Sequence, residues 1–158
     1  MRVFAIAMLV VPLFAGTLAV CAEESEAIVG VWVTQEGEAH IEIVQENGQY
    51  IGHIVWLEEP NYPADDKEAG KPRHDRENPD SSKRDRPILG IQLFDGFTFD
   101  GKDKWTGGEI YDAESGKTYK SKITMKGPNE LHLRGFIGIS LLGRTSVWTR
   151  YQPPADTQ

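Results

Sequence analysis

Gly30-Val31-Trp32 opens the first extended segment of the chain, and Trp148-Thr149-Arg150 closes the last. Between them lie short segments of alternating polar and apolar residues, separated by turn signals and almost without helical period. That is the pattern of an antiparallel barrel. A tryptophan entering a barrel near its N-terminus has to be sealed from below by something large. An arginine on the last strand can lie flat on the indole, where cation–π attraction contributes about 0.5–2 kcal/mol, while its head reaches backbone carbonyls. Alternation in the last segment puts Arg144, Ser146, Trp148 and Arg150 on one face. Trp32 is therefore expected to be buried at a closed end beneath Arg150 or, failing that, Arg144, with Gly30 and Trp148 completing the latch.

Working outward from those two ends, strands are expected over 28–34, 39–45, 49–57, 88–94, 104–112, 118–125, 130–138 and 144–151. Asn47-Gly48 is the strongest hairpin signal among the connections. About eight strands joined by short turns close into an all-β, up-and-down antiparallel barrel, whose interior holds side chains or one small ligand. Tyr50, Trp56, Trp105, Tyr111 and Phe136 fall on faces expected to point inward, which makes them the candidate ligand contacts. Gly107-Gly108 is read as a corner where a strand bends, and alternatively as a place where a ligand approaches the backbone. Residues 23–158 show no internal repeat and no second domain.

Two stretches depart from the strand pattern. Residues 58–87 hold sixteen charged side chains and five prolines, with Tyr62 as the one large apolar residue. Such a stretch cannot bury a core of its own and is expected to be a solvated loop rather than a dedicated lid. Asn78-Pro79-Asp80 predicts about two helical turns inside it, capped by Asn78 and running to Arg84. The second stretch, Gly138 to Gly143, puts Ile139, Leu141 and Leu142 at a hairpin tip. These are expected to fold into the barrel mouth as a plug, the alternative being a sticky patch for a partner.

Residues 1–22 read as an export signal: Arg2, an apolar run over 3–14, then a polar end with Val20-Cys21-Ala22 before the cut. The run is too short to span a bilayer. Leu18-Ala19-Val20-Cys21 is the competing acylation box, although Val20 is bulky where such boxes carry a small residue. The expected location is the periplasm or outside the cell. Cleavage after Ala22 would remove the one cysteine of the chain. With 17 basic and 24 acidic side chains, a formal net charge of −7, the protein is ill suited to nucleic acid or anionic lipid. Monomer and dimer are both compatible with the pattern.

Catalytic and metal motifs are not legible. The four histidines, His40, His53, His74 and His132, have no ligand spacing, so no metal or other cofactor is expected. Two residues separate Ser140 from Gly143, where a nucleophile elbow has one. Glu58-Glu59 and Asp65-Asp66 are adjacent in a polar loop and cannot flank a substrate as paired catalytic carboxylates do.

Several stretches carry a family resemblance: Gly30-Val31-Trp32, residues 52–57, Asn78-Pro79-Asp80, residues 86–90, residues 105–112, residues 116–119 and residues 135–150. On these the chain resembles the bacterial exported proteins grouped as domain of unknown function 2147. The resemblance implies a lipocalin-like barrel and a role in binding small hydrophobic molecules, and it brings no catalytic residues with it. Relatives carry cysteines around the second hairpin, where this chain has Glu46 and Ile51, so any such staple is absent here. The expected function is a non-enzymatic binder or carrier of a small hydrophobic molecule. The alternatives are an envelope interaction or structural module with a filled barrel and, less favoured, an enzyme.

Overall fold

The computed structural model describes residues 24–154. The expected leader, its cleavage site and Cys21 lie outside the described residues. A 3₁₀ turn at Glu26–Ile28 leads into eight strands: β1 Gly30–Val33, β2 Ala39–Glu46, β3 Gln49–Leu57, β4 Gln92–Phe99, β5 Lys104–Asp112, β6 Lys117–Gly127, β7 Glu130–Phe136 and β8 Arg144–Arg150. Each is antiparallel to its neighbour, and β8 returns to β1 to close the barrel. The architecture is the all-β, up-and-down barrel expected from the alternation. Closure leaves no sheet edge for another chain to extend.

The closing seam is short, with Trp32 opposite Arg150 and Val33 opposite Thr149. Side chains reinforce it. The Arg150 guanidinium lies 4.3 Å from the centre of the Trp32 ring. It donates to the carbonyls of Ala27 (2.6 Å), Val29 (3.0 Å) and Pro128 (2.9 Å). The Trp32 indole N–H donates to Ile28 O at 2.8 Å. Three successive carbonyls are thereby satisfied by one aromatic and one cation. Gly30 fits here because its φ is +123°, and a Cβ on it would stand 3.0 Å from Arg150 Nη1. Burial lowers the Arg150 pKa from the ordinary arginine value. Arg144 has no part in this latch and sits at the other end of β8.

Below the middle of the barrel the interior is solid. Trp32, Tyr50, Phe97, Trp105, Ile43, Ile123 and Leu131 are almost wholly buried. Tyr50 meets Trp105 edge to face at 6.1 Å, and the Trp105 indole reaches Ser25 O at 3.3 Å. Phe94 and Trp148, 6.3 Å apart, cover this packed layer.

Several expectations are corrected. Residues 88–91 are not strand: Gly90, at φ +92°, breaks the run, Ile88 N–H donates to Arg73 O, and β3 is met only at Ile54, through Gly90 N–H and Ile91 O. The strand begins at Gln92. The two-turn helix over 78–84 is a single 3₁₀ turn at Ser81–Lys83, capped by the Asp80 carboxylate on Ser82 N–H. Asn78 does accept from Asp80 N–H through Oδ1 (2.9 Å) while its amide donates to Asp75 and Tyr111, but the turn that follows runs no further than Lys83. The apolar tip is not a plug. Ile137, Ile139, Leu141 and Leu142 are 61–82% exposed on and before a 3₁₀ turn at Ser140–Leu142. Arg134 fixes that turn outward by donating to the carbonyls of Ser140 (2.7 Å) and Leu141 (3.0 Å). Gly107-Gly108 forms a bulge in β5, and the Phe97 ring occupies the space beside Gly108, which excludes a ligand there.

Candidate ligand-binding site

Above Phe94 and Trp148 the barrel opens into a cup of about 1580 Å³. Its wall is aliphatic where the strands form it, with Ile41, Ile54, Leu93, Ile110 and Leu133 among the lining residues. The sequence makes the cup by tapering its inward positions. Along β7 they run Leu131, Leu133, Gly135; along β8, Trp148 gives way to Ser146; along β3, Tyr50 gives way past Gly52 to Ile54. Large side chains fill one end, and small or aliphatic ones leave the other open. The space exceeds the roughly 300–1,000 Å³ of ordinary small-molecule pockets, because the wall continues past the strand ends into residues 58–88.

The five candidate aromatics separate into three groups. Tyr111 and Phe136 line the cup. Tyr50 and Trp105 belong to the packed closed end, too deep to meet a ligand in the cup. Trp56 lies outside the barrel, 42% exposed, stacked at 4.3 Å on His40, which also meets Tyr151. The cause is a β-bulge: Ile41 faces Ile54 and His40 faces Trp56, so Val55 is an extra residue. Beyond it the parity inverts, Trp56 turns out, and Leu57 takes the inward position. Among the latch candidates, Arg144 also lines the cup, on the lip opposite Gly135.

Residues 58–88 are an ordered wall. Tyr62 is the seed of a small cluster: Arg76 lies 4.4 Å over its ring and His74 meets it edge-on at 5.5 Å. Its hydroxyl exchanges hydrogen bonds with the backbone of His74. Arg76 donates from Nη1 to both Asp66 carboxylate oxygens, at 3.1 and 2.9 Å. The Glu68 N–H first and Arg76 second hold Asp66 below the usual carboxylate range. His74 donates from Nδ1 to Arg84 O (2.6 Å) and meets Glu68 through Nε2 (2.9 Å). The Arg84 carbonyl, and then Glu68, raise the His74 pKa above the ordinary histidine value, and His74 lowers that of Glu68.

Asp75 bolts this wall to the barrel. It is 0% exposed. One oxygen accepts from the Tyr111 hydroxyl at 2.6 Å; the other accepts from Asn78 (2.7 Å) and from Arg86 through Nε (2.9 Å) and Nη2 (2.7 Å). A buried carboxylate is tolerated only with such a full complement of donors. Burial, reinforced by the bond to Asp75, pushes the Tyr111 phenol up to about 12. Tyr111 thus serves two ends, a ring in the cup wall and a hydroxyl on the bolt. Sequence reasoning missed Asp75 and Arg86: among sixteen charged side chains, nothing marks the one carboxylate that is buried.

Among the described residues no three His, Cys, Asp or Glu side chains gather to hold a metal, and no helix is long and apolar enough to cross a membrane. What the cup offers is shape and burial for an apolar body, with polar groups at the mouth.

Comparison with known proteins agrees with the architecture. Among solved structures the chain is similar to HP1028 from the human pathogen Helicobacter pylori, a protein that belongs to the lipocalin family. The two share 21% identity over 80% of this chain and 84% of that one, at a TM-score of 0.68, a likeness that carries the fold alone. No curated protein matches. A family described as "uncharacterized protein conserved in bacteria", DUF2147, matches residues 30–150, from the first strand to the last. The chain therefore belongs to the DUF2147 family.

Proposed function

We propose that the protein is an exported, non-enzymatic carrier or sensor that holds one small apolar molecule in the open half of its barrel. The observation that carries this reading is the aliphatic cup of about 1580 Å³ above a solid floor. Burying an apolar ligand there removes its surface from water, at roughly 25 cal/mol per Å² before the costs of association. A cup of this size favours binding over the filled-barrel module, which would need that space packed. The export assignment rests on the Arg2, apolar-run and Val20-Cys21-Ala22 pattern of residues 1–22.

An uncharged, environment-sensitive probe such as N-phenyl-1-naphthylamine tests the proposal. Saturable binding to the wild-type protein is expected. Ala39→Phe, which places a ring in the cup from β2, should weaken that binding at least about tenfold while the thermal transition remains cooperative. Absence of saturable binding, or binding indifferent to Ala39→Phe in a folded protein, would remove the proposal.

A further inference from the structure

The mouth of the cup is strongly asymmetric in charge. Glu36 and Glu38 line it from the β1–β2 turn, Glu58 and Glu59 from the end of β3, and Glu77 from residues 58–88. Asp112, the last residue of β5, and Glu114 in the turn after it complete seven carboxylates among the described lining residues, against Arg73, Arg76, Arg144 and His74 and no lysine. Two of those arginines are already committed. Arg73 pairs with Glu59 at 3.1 Å, Arg76 pairs with Asp66, which is outside the lining, and more loosely with Glu77 at 3.9 Å, and His74 pairs with Glu68, also outside the lining. Among the described residues Glu38, Glu58 and Glu114 form no ion pair. Among the described lining residues Arg144, on the β7–β8 lip, forms no ion pair.

A concave site with low-dielectric aliphatic walls and one sign of charge at its rim concentrates the opposite charge and repels its own. The carboxylates come from separate elements around the mouth, so a head group seated there meets them from several sides. We infer that the cup is selective for lipophiles whose polar end is positively charged, an aliphatic amine or quaternary ammonium, and that it discriminates against carboxylates of the same chain length. The apolar body fills the aliphatic wall, and the cationic head stays at the solvated rim near Glu58 and Glu114. This specificity rests on the cup being the binding site.

The test is a competition series with matched ten-carbon ligands, decyltrimethylammonium, decanol and decanoate, each displacing N-phenyl-1-naphthylamine. At about 0.01 M salt, where charges act over about 30 Å, the ammonium should bind at least about tenfold more tightly than the carboxylate, with the alcohol between them. At about 1 M salt the spread should collapse. The double variant Glu58→Gln, Glu114→Gln should reduce the preference, and Arg144→Gln should enlarge it. Decanoate binding as tightly as the ammonium, or a preference unchanged in the double variant, would overturn the inference while leaving the cup as the site. Failure of all three ligands, the alcohol included, would instead overturn the cup itself.

Discussion

At the closed end of the barrel Trp32, Tyr50, Phe97 and Trp105 fill the interior, and Arg150 seals them from outside; at the open end the same strands surround a cup. Both ends obey the same inward alternation, and they differ in the size of what points in. Ile41 and Leu133 stand above Ile43 and Leu131 on the same faces, and only the upper pair lines the cup. The polar chemistry differs as well. The closed end satisfies backbone carbonyls with one arginine, whereas the open end hangs a charged wall on one buried carboxylate, Asp75. One end is thus specified by packing and the other by a hydrogen-bonded bolt.

The largest separation between the ends should come from Trp32→Ala. It removes a fully buried indole and the platform for Arg150, and should cost about 3–5 kcal/mol in denaturant unfolding. Ligand preference in the surviving folded protein should be unchanged, because the latch lies beneath the floor. Altered preference would mean that the ends are not independent. Gly52→Ala probes the floor itself, since a Cβ there would run into the Phe94 ring. Overpacking of this kind should cost about 1–3 kcal/mol and, by displacing Phe94 toward the cup, also weaken ligand binding. A stability loss without a binding change would place the floor lower than Phe94.

Tyr111→Phe keeps the ring in the cup wall and deletes the bolt. Asp75 retains Asn78 and Arg86, so the loss should be modest, about 1–2 kcal/mol. Hydrogen exchange should show it concentrated in residues 58–88, with the amides of β1, β2 and β8 unaffected; uniform loss of protection would deny the wall a separate anchor. The smallest effect concerns His74. Its pKa is raised in the folded state, so its stabilisation is fully present below the ordinary histidine value of about 6.5 and is lost as pH rises through the higher folded value. Glu68, whose pKa is lowered, contributes above its ordinary range and loses that contribution as pH falls through its folded value. The difference in urea midpoint between wild type and His74→Gln should therefore shrink from pH 6 toward pH 9. A constant difference would show that the His74–Glu68 contact carries no charge-dependent part.

Much of the barrel could be read from local pattern, and the site only in part. Alternation identifies which residues face inward, as with Ile41 and Ile43 or Arg150 and Trp148. It does not say how high in the barrel an inward residue stands, which is why Tyr50 and Trp105 looked like ligand contacts as much as Tyr111 and Phe136 did. Height follows from register and strand stagger, which are properties of the closed sheet. Trp56 failed for a different reason: one inserted residue, Val55, flips every position after it, and no residue type announces the insertion.

The sequence by itself determined the class of fold, all-β with antiparallel hairpins, because period-two alternation buries one face of each strand and glycine and asparagine turns join neighbours. It also determined the contrast between large and small inward residues from which a floor and a cup are made. Tertiary structure alone decided that Asp75, one charged residue in a run of many, is buried against Tyr111 and Arg86, and that Arg134 turns the apolar tip out of the mouth. Those outcomes depend on partners distant in sequence whose donors and acceptors must all be met at once, and a local pattern carries no record of them.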